Sequence, residues 1–170
     1  MKVFKQSFLI VIFFFISTNI VYSNDKVFFI DLDLIIKNTN YGKKILDNIN
    51  NINKENINKL KSKENEIRTV EEEIKKKQNI ISKDELNKEI SALKNKIKIF
   101  NSDKDNMVKE LKKTKQESIN NFFKKVSPII QSYMDENSIS ILLDRKNVFI
   151  GRVNSDITDE IINRINDEIN

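Results

Sequence analysis

The chain has 170 residues, the length of a single domain, with 30 basic and 25 acidic side chains, two glycines and one proline. A chain 32% charged with so little glycine and proline is composed for long solvated helices rather than for a compact globule. It has no cysteine and no histidine, which removes disulfides, Ser-His-Asp chemistry, zinc-hydrolase motifs and the ordinary pH switch.

The first 23 residues stand apart. Lys2 and Lys5 precede a purely apolar run, Phe8 to Ile16, closed by polar Ser17, Thr18 and Asn19. Val21-Tyr22-Ser23 suits a cleavage site, so residues 1–23 are expected to be a secretory signal peptide cut between Ser23 and Asn24. The apolar run falls short of the ~20 residues that span a bilayer, which disfavours an uncleaved anchor. Asn24, not cysteine, follows the cut, so a lipoprotein anchor is excluded. Cleavage removes two lysines and no acid. The remainder has 28 basic and 25 acidic groups, and localisation beyond the inner membrane is expected.

Val27-Phe28-Phe29-Ile30 is a β-branched and aromatic run, hence a buried strand. Asp31 ends it, Leu32 to Ile36 suits a short helical turn, and Asn38-Thr39-Asn40 is a cap-rich break. A long helix is expected from about Tyr41 to about Gln78. Its apolar stripe, Leu60, Ile67, Ile74 and Ile81, keeps strict seven-residue steps. Asn56, Lys63 and Lys77 dilute this seam, so the helix is expected to flex. Glu71, Glu72 and Glu73 stand four residues before Lys75, Lys76 and Lys77, the pairing of a helix bathed in water.

Ser82 and Glu85 form a capping box that starts a second long helix. Its stripe alternates four- and three-residue steps: Leu86, Ile90, Leu93, Ile97, Phe100, then Met107 and Leu111, with Lys104 interrupting. Two narrow seams joined by a few residues predict a long antiparallel coiled-coil hairpin. After Thr114 the stripe widens through Ile119, Phe122, Phe123, Val126, Ile129 and Ile130, as the helix enters a core. Pro128 either kinks this helix or starts a new segment capped by Ser127. Ile139 to Leu143 and Val148 to Ile150 flank polar Asp144 to Asn147 and predict a β-hairpin. Thr158 is expected to cap a last helix, Asp159 to Ile169, with Ile157 and Ile162 as a hydrophobic staple.

Three short strands and one short helix are a small core with open edges, which oligomerisation would close. The expected class is therefore α+β: a coiled-coil helical arm (41–126, tip near 79–84) projecting from a β-rich body (24–40 and 127–170). Its oligomerisation core is expected to comprise Val27, Phe29, Ile141, Leu143, Val148 and Phe149.

The order of elements and the terminal motifs resemble the Skp/OmpH family of periplasmic chaperones. Val27-Phe28-Phe29-Ile30-Asp31 looks like the family's opening strand, and Tyr41-Gly42-Lys43-Lys44 like the start of its first arm. Ile81-Ser82-Lys83-Asp84-Glu85-Leu86 is similar to its arm tip, Ile139 to Asp144 to its hydrophobic strand ending in Asp. Asp156-Ile157-Thr158-Asp159-Glu160-Ile161-Ile162 is similar to its closing helix start. The resemblance implies a jellyfish-like homotrimer with a small β-barrel body. Its three arms would enclose unfolded outer-membrane proteins without ATP. It implies no catalysis and no cofactor. Glu71 to Glu73 and Asp84 beside the tip lysines argue against carrying over a lipopolysaccharide site, although contact of the tips with a membrane surface fits their lysines.

Candidate client contacts are Lys75, Lys76, Lys77, Lys83 and Phe122. The lysines equally suit a plain solvated face, and Phe122 equally suits the core. Asp31 and Asp33 have no cleft around them and are expected to be turn caps rather than a catalytic pair. Nucleic acid is disfavoured, because an acid stands beside nearly every lysine. The rival class is a signal-anchored coiled-coil tether or spacer of the cell envelope.

Overall fold

The computed structural model describes residues 26–169, so the leader and its cleavage site at Ser23 and Asn24 lie outside the described residues. The elements are β1 (Val27–Ile30), α1 (Leu32–Asn38), α2 (Asn40–Lys77), α3 (Lys83–Glu136), β2 (Ile141–Asp144) and α4 (Thr158–Glu168). Two 3-10 turns, Arg145–Asn147 and Val153–Ser155, lie between β2 and α4.

Each boundary has a local cause. Asp31 caps α1 by accepting from the Leu34 amide at 3.0 Å. Buried Thr39 closes α1 with its amide on the Ile35 carbonyl and opens α2 with its hydroxyl accepting from Gly42 N. Ser82 caps α3 by accepting from the Glu85 amide at 3.3 Å. At the far end of α3, Ser138 takes a left-handed φ of 54°, Ser138 N bonds the Asp135 carbonyl and Ile139 N bonds the Met134 carbonyl. This double bond to the last turn is a Schellman ending, with serine where glycine is usual.

Helix α2 has 38 residues and α3 has 54, about 57 Å and 81 Å at 1.5 Å per residue. They run in opposite directions side by side. Lys77 faces Glu89 at 3.8 Å near the tip, Lys63 pairs with Asp103 midway, and Tyr41 stacks on Phe122 at 5.7 Å at the root. The extra length of α3 runs into the core, where Phe122 and Val126 are fully buried with Ile35, Ile161 and Ile165.

Two expectations are corrected, and a choice between two readings is decided. The hairpin of Ile139–Leu143 with Val148–Ile150 does not form. β2 instead pairs in parallel with β1, Val27 opposite Ile141 through Ile30 opposite Asp144, and Val148 to Ile150 form no strand. The turn residues Asp144 to Asn147 made the hairpin look local, but Asp144 caps a 3-10 turn by accepting from Lys146 N. Pro128 starts no new segment: of the two readings, the one that keeps it inside the helix holds, because α3 runs through it. Core packing of Val126 and Ile129 on either side holds the helix, and the Ser127 hydroxyl donates to the Phe123 carbonyl at 2.6 Å instead of capping. Thr158 is the first residue of α4 rather than its cap. Asp156 Oδ1 accepts from Thr158 N at 3.1 Å and from its hydroxyl, and that hydroxyl accepts from Asp31 N at 2.9 Å. The side chain thus ties α4 to the end of β1.

Candidate functional site

In β1 and β2 successive side chains alternate between faces. Phe28, Ile30 and Leu142 turn to the core. Val27 and Phe29, with their partners Ile141 and Leu143, share the other face. Four of the six expected oligomerisation residues are therefore brought together on one apolar surface. Val27 is 45% exposed, Ile141 47% and Leu143 38%. Phe29 is buried, because the 148–151 segment folds over it. The space a Cβ would need at Gly151 is occupied by the Phe29 ring at 2.6 Å and by Val148 at 3.3 Å. The Arg145 guanidinium stands 5.8 Å from the Phe29 ring centre and pairs with Asp156 at 2.5 Å. The same segment leaves Phe149 98% exposed, with Ile150 and Val153 also in solvent.

At the arm tip Lys75, Lys76, Lys77 and Lys83 are exposed, and Ile80 between them is 83% exposed. Phe122 is placed far from them. It is fully buried at the root, stacked on Tyr41 and edge-on to Phe123, with Lys125 over the Tyr41 ring at 4.4 Å. So enclosed, it acts as core. Asp33 is not a cap. It pairs with Lys146 at 2.9 Å, and this hydrogen-bonded ammonium holds its carboxyl below the usual carboxylate range.

Charge is divided between the two parts. Residues 41–126 hold 22 basic and 14 acidic side chains, while 24–40 and 127–170 hold 6 and 11. The whole-chain net charge hides this split. The seam also differs in detail from its sequence pattern. Asp103, not Lys104, takes the half-buried position after Phe100 and pairs with Lys63. No group of metal-ligating side chains occurs among the described residues, and none of their helices is long and apolar enough to cross a membrane.

The sequence model of the family described as outer membrane protein (OmpH-like) matches residues 26–165. The chain belongs to this OmpH-like family. The fold agrees. A crystal structure of an OmpH-like outer membrane chaperone candidate from Caulobacter crescentus CB15 superposes with a TM-score of 0.79 at 19% identity, over 86% of this chain and 87% of that one. No curated protein matches the chain significantly. Among the described residues of this OmpH-like chain, the outer sheet face carries exposed apolar side chains and the long arm carries an excess of basic ones.

Proposed function

We propose that this OmpH-like chain is an ATP-independent periplasmic holdase that keeps unfolded outer-membrane proteins from aggregating. It works as a homotrimer whose coiled-coil arms enclose the client. The observation that carries the reading is the uncovered apolar face of Val27, Ile141 and Leu143, beside solvent-exposed Phe149, in a fold shared with an OmpH-like chaperone candidate. A two-stranded sheet with such a face is not a stable surface in water. Three copies facing inward would cover it, with Val148 and Phe149 completing the contact, and would point three basic arms the same way.

The arms then hold a client through many weak contacts. In an enclosure each contact raises the effective concentration of the next, so retention needs no single strong site. Lys75, Lys76, Lys77 and Lys83 steer acidic clients, or an anionic membrane surface, over a range set by salt. Neither glycine lies in a phosphate-cradling sequence: Gly42 opens a helix and Gly151 packs on Phe29.

The test is aggregation of an unfolded outer-membrane β-barrel protein diluted from urea, without nucleotide, together with the native mass of the chaperone. Protection by a trimer is expected. Ile141→Asp should abolish the trimer and leave the helical signal of one copy unchanged, because Ile141 is half exposed before assembly. Protection that needs ATP would sink the holdase reading, and a trimeric Ile141→Asp would sink the interface.

A further inference from the structure

We propose that each arm carries a side-chain site at the layer of Ile67, Ile99 and Phe100, which takes an aromatic or aliphatic side chain of an extended acidic polypeptide. Seam residues of two facing helices normally fill each other's gaps. Here the neighbouring position on α2 is Lys63, and its ammonium turns to Asp103 instead of filling the layer beside Phe100. A crease of about 150 Å³ remains, lined by Ile67, Ile99, Phe100, Lys63, Lys96 and Glu66. An enclosed apolar cavity of roughly this size holds a benzene ring, and this crease is open on one side, so a ring can enter it while still joined to its own backbone. Ile99 lies off the seam and is 58% exposed, so packing within the arm does not account for an isoleucine there.

The rim sets the occupant. Asp103 engages Lys63, which leaves Lys96 opposite Glu66 on the rim itself, but α3 carries exposed Lys94, Lys96 and Lys98 with no acid from Ile90 to Ser102, so an incoming carboxylate meets a basic stretch on that side. A second crease shares Ile67 and Phe100 but is flanked by Glu64, Glu71 and Arg68, a rim of opposite balance. An apolar residue beside an acid therefore enters on the Lys96 side. The choice of an unfolded polypeptide as occupant rests on the holdase reading; the site itself is tested separately.

The experiment uses the full mature chain with labelled isoleucine methyls and two probe peptides, one alternating Phe and Asp, the other Phe and Lys. The acidic peptide should shift Ile67 and Ile99 saturably and leave Ile80 at the tip unmoved. The basic peptide should bind about tenfold more weakly or worse, and Ile99→Ser should cost about tenfold. Val108→Ser, as exposed but away from the crease, should change nothing. Lys96→Glu should reverse the preference between peptides. Equal shifts at Ile80, equal affinity for both peptides, or no shift at all would overturn the site. Aggregation of the β-barrel client, run in parallel, separates the two readings. Protection without crease binding removes the site and keeps the holdase, and crease binding without protection does the reverse.

Discussion

The root and the middle of the arm are built from the same two helices and packed in opposite ways. At the root Phe122 and Val126 are fully buried, Tyr41 stacks on Phe122, and α2 meets α1 so closely that Gly42 has no room for a Cβ. In the middle the seam positions are half exposed, one is a Lys63–Asp103 ion pair, and apolar creases stay open around Phe100. The difference shows how one helix pair can be tightly packed at its base and loosely packed along its length.

The comparison is broken most severely by Phe122→Ala. Removing a fully buried ring at the root should cost about 3–5 kcal/mol. Thermal melting should show it, and a loss under about 1 kcal/mol would mean the root is no tighter than the arm.

Gly42→Ala comes next, and its sign is the point. Alanine normally stabilises a helix interior by up to about 1 kcal/mol. Here the new Cβ would lie 1.9 Å from the Ile36 carbonyl oxygen, a backbone atom that cannot swing aside. The α1–α2 junction must open, so denaturant titration should show lower stability. A stabilised variant would contradict the close approach.

The middle should respond in the other direction. Replacing both Lys63 and Asp103 with leucine removes a half-exposed pair that contributes little and restores an apolar layer. Stability should be unchanged or should rise by about 1 kcal/mol. The crease beside Phe100 should close, and peptide shifts at Ile99 should disappear. A large destabilisation would make the ion pair a structural lock instead of a gap.

The smallest effect belongs to Asp33 and Lys146, an exposed pair on the base. The carboxyl of Asp33 titrates lower in the folded chain, so its contribution is present at neutral pH and is lost as pH falls through that depressed value. The ammonium of Lys146 titrates higher, so its contribution is present at neutral pH and fades only as pH rises through the raised value. With no histidine in the chain, stability should be flat across neutral pH and fall only at the acid and alkaline ends. Asp33→Asn should flatten the acid end slightly, and less so in high salt. A transition near neutrality in a pH melt would disprove this.

What the sequence determined by itself was everything set by neighbours within a turn or two. The apolar stripes on α2 and α3, the Ser82 cap, the Asn38–Asn40 break and the burial of Ile157 and Ile162 were legible because helical spacing and capping act over three to seven residues. Even the seam had a limit, since choosing Asp103 over Lys104 depends on which residue faces Lys63 across the pair. Only the tertiary structure decided the rest. A four-residue strand carries no record of its partner, so the turn-like Asp144 to Asn147 suggested a hairpin, while β2 pairs with β1 more than a hundred residues earlier, once the two long helices have brought the chain back. Pro128 left a new segment open beside a helix running through it, because the local cost of proline in a helix, about 3 kcal/mol, is visible in sequence, whereas the offsetting burial of Val126 and Ile129 is not. Thr158 reads in sequence as the cap of its own helix, whereas its hydroxyl joins α4 to β1 through Asp31 and Asp156. Local patterns are written in adjacent residues; which distant surfaces meet is settled by the core they jointly bury.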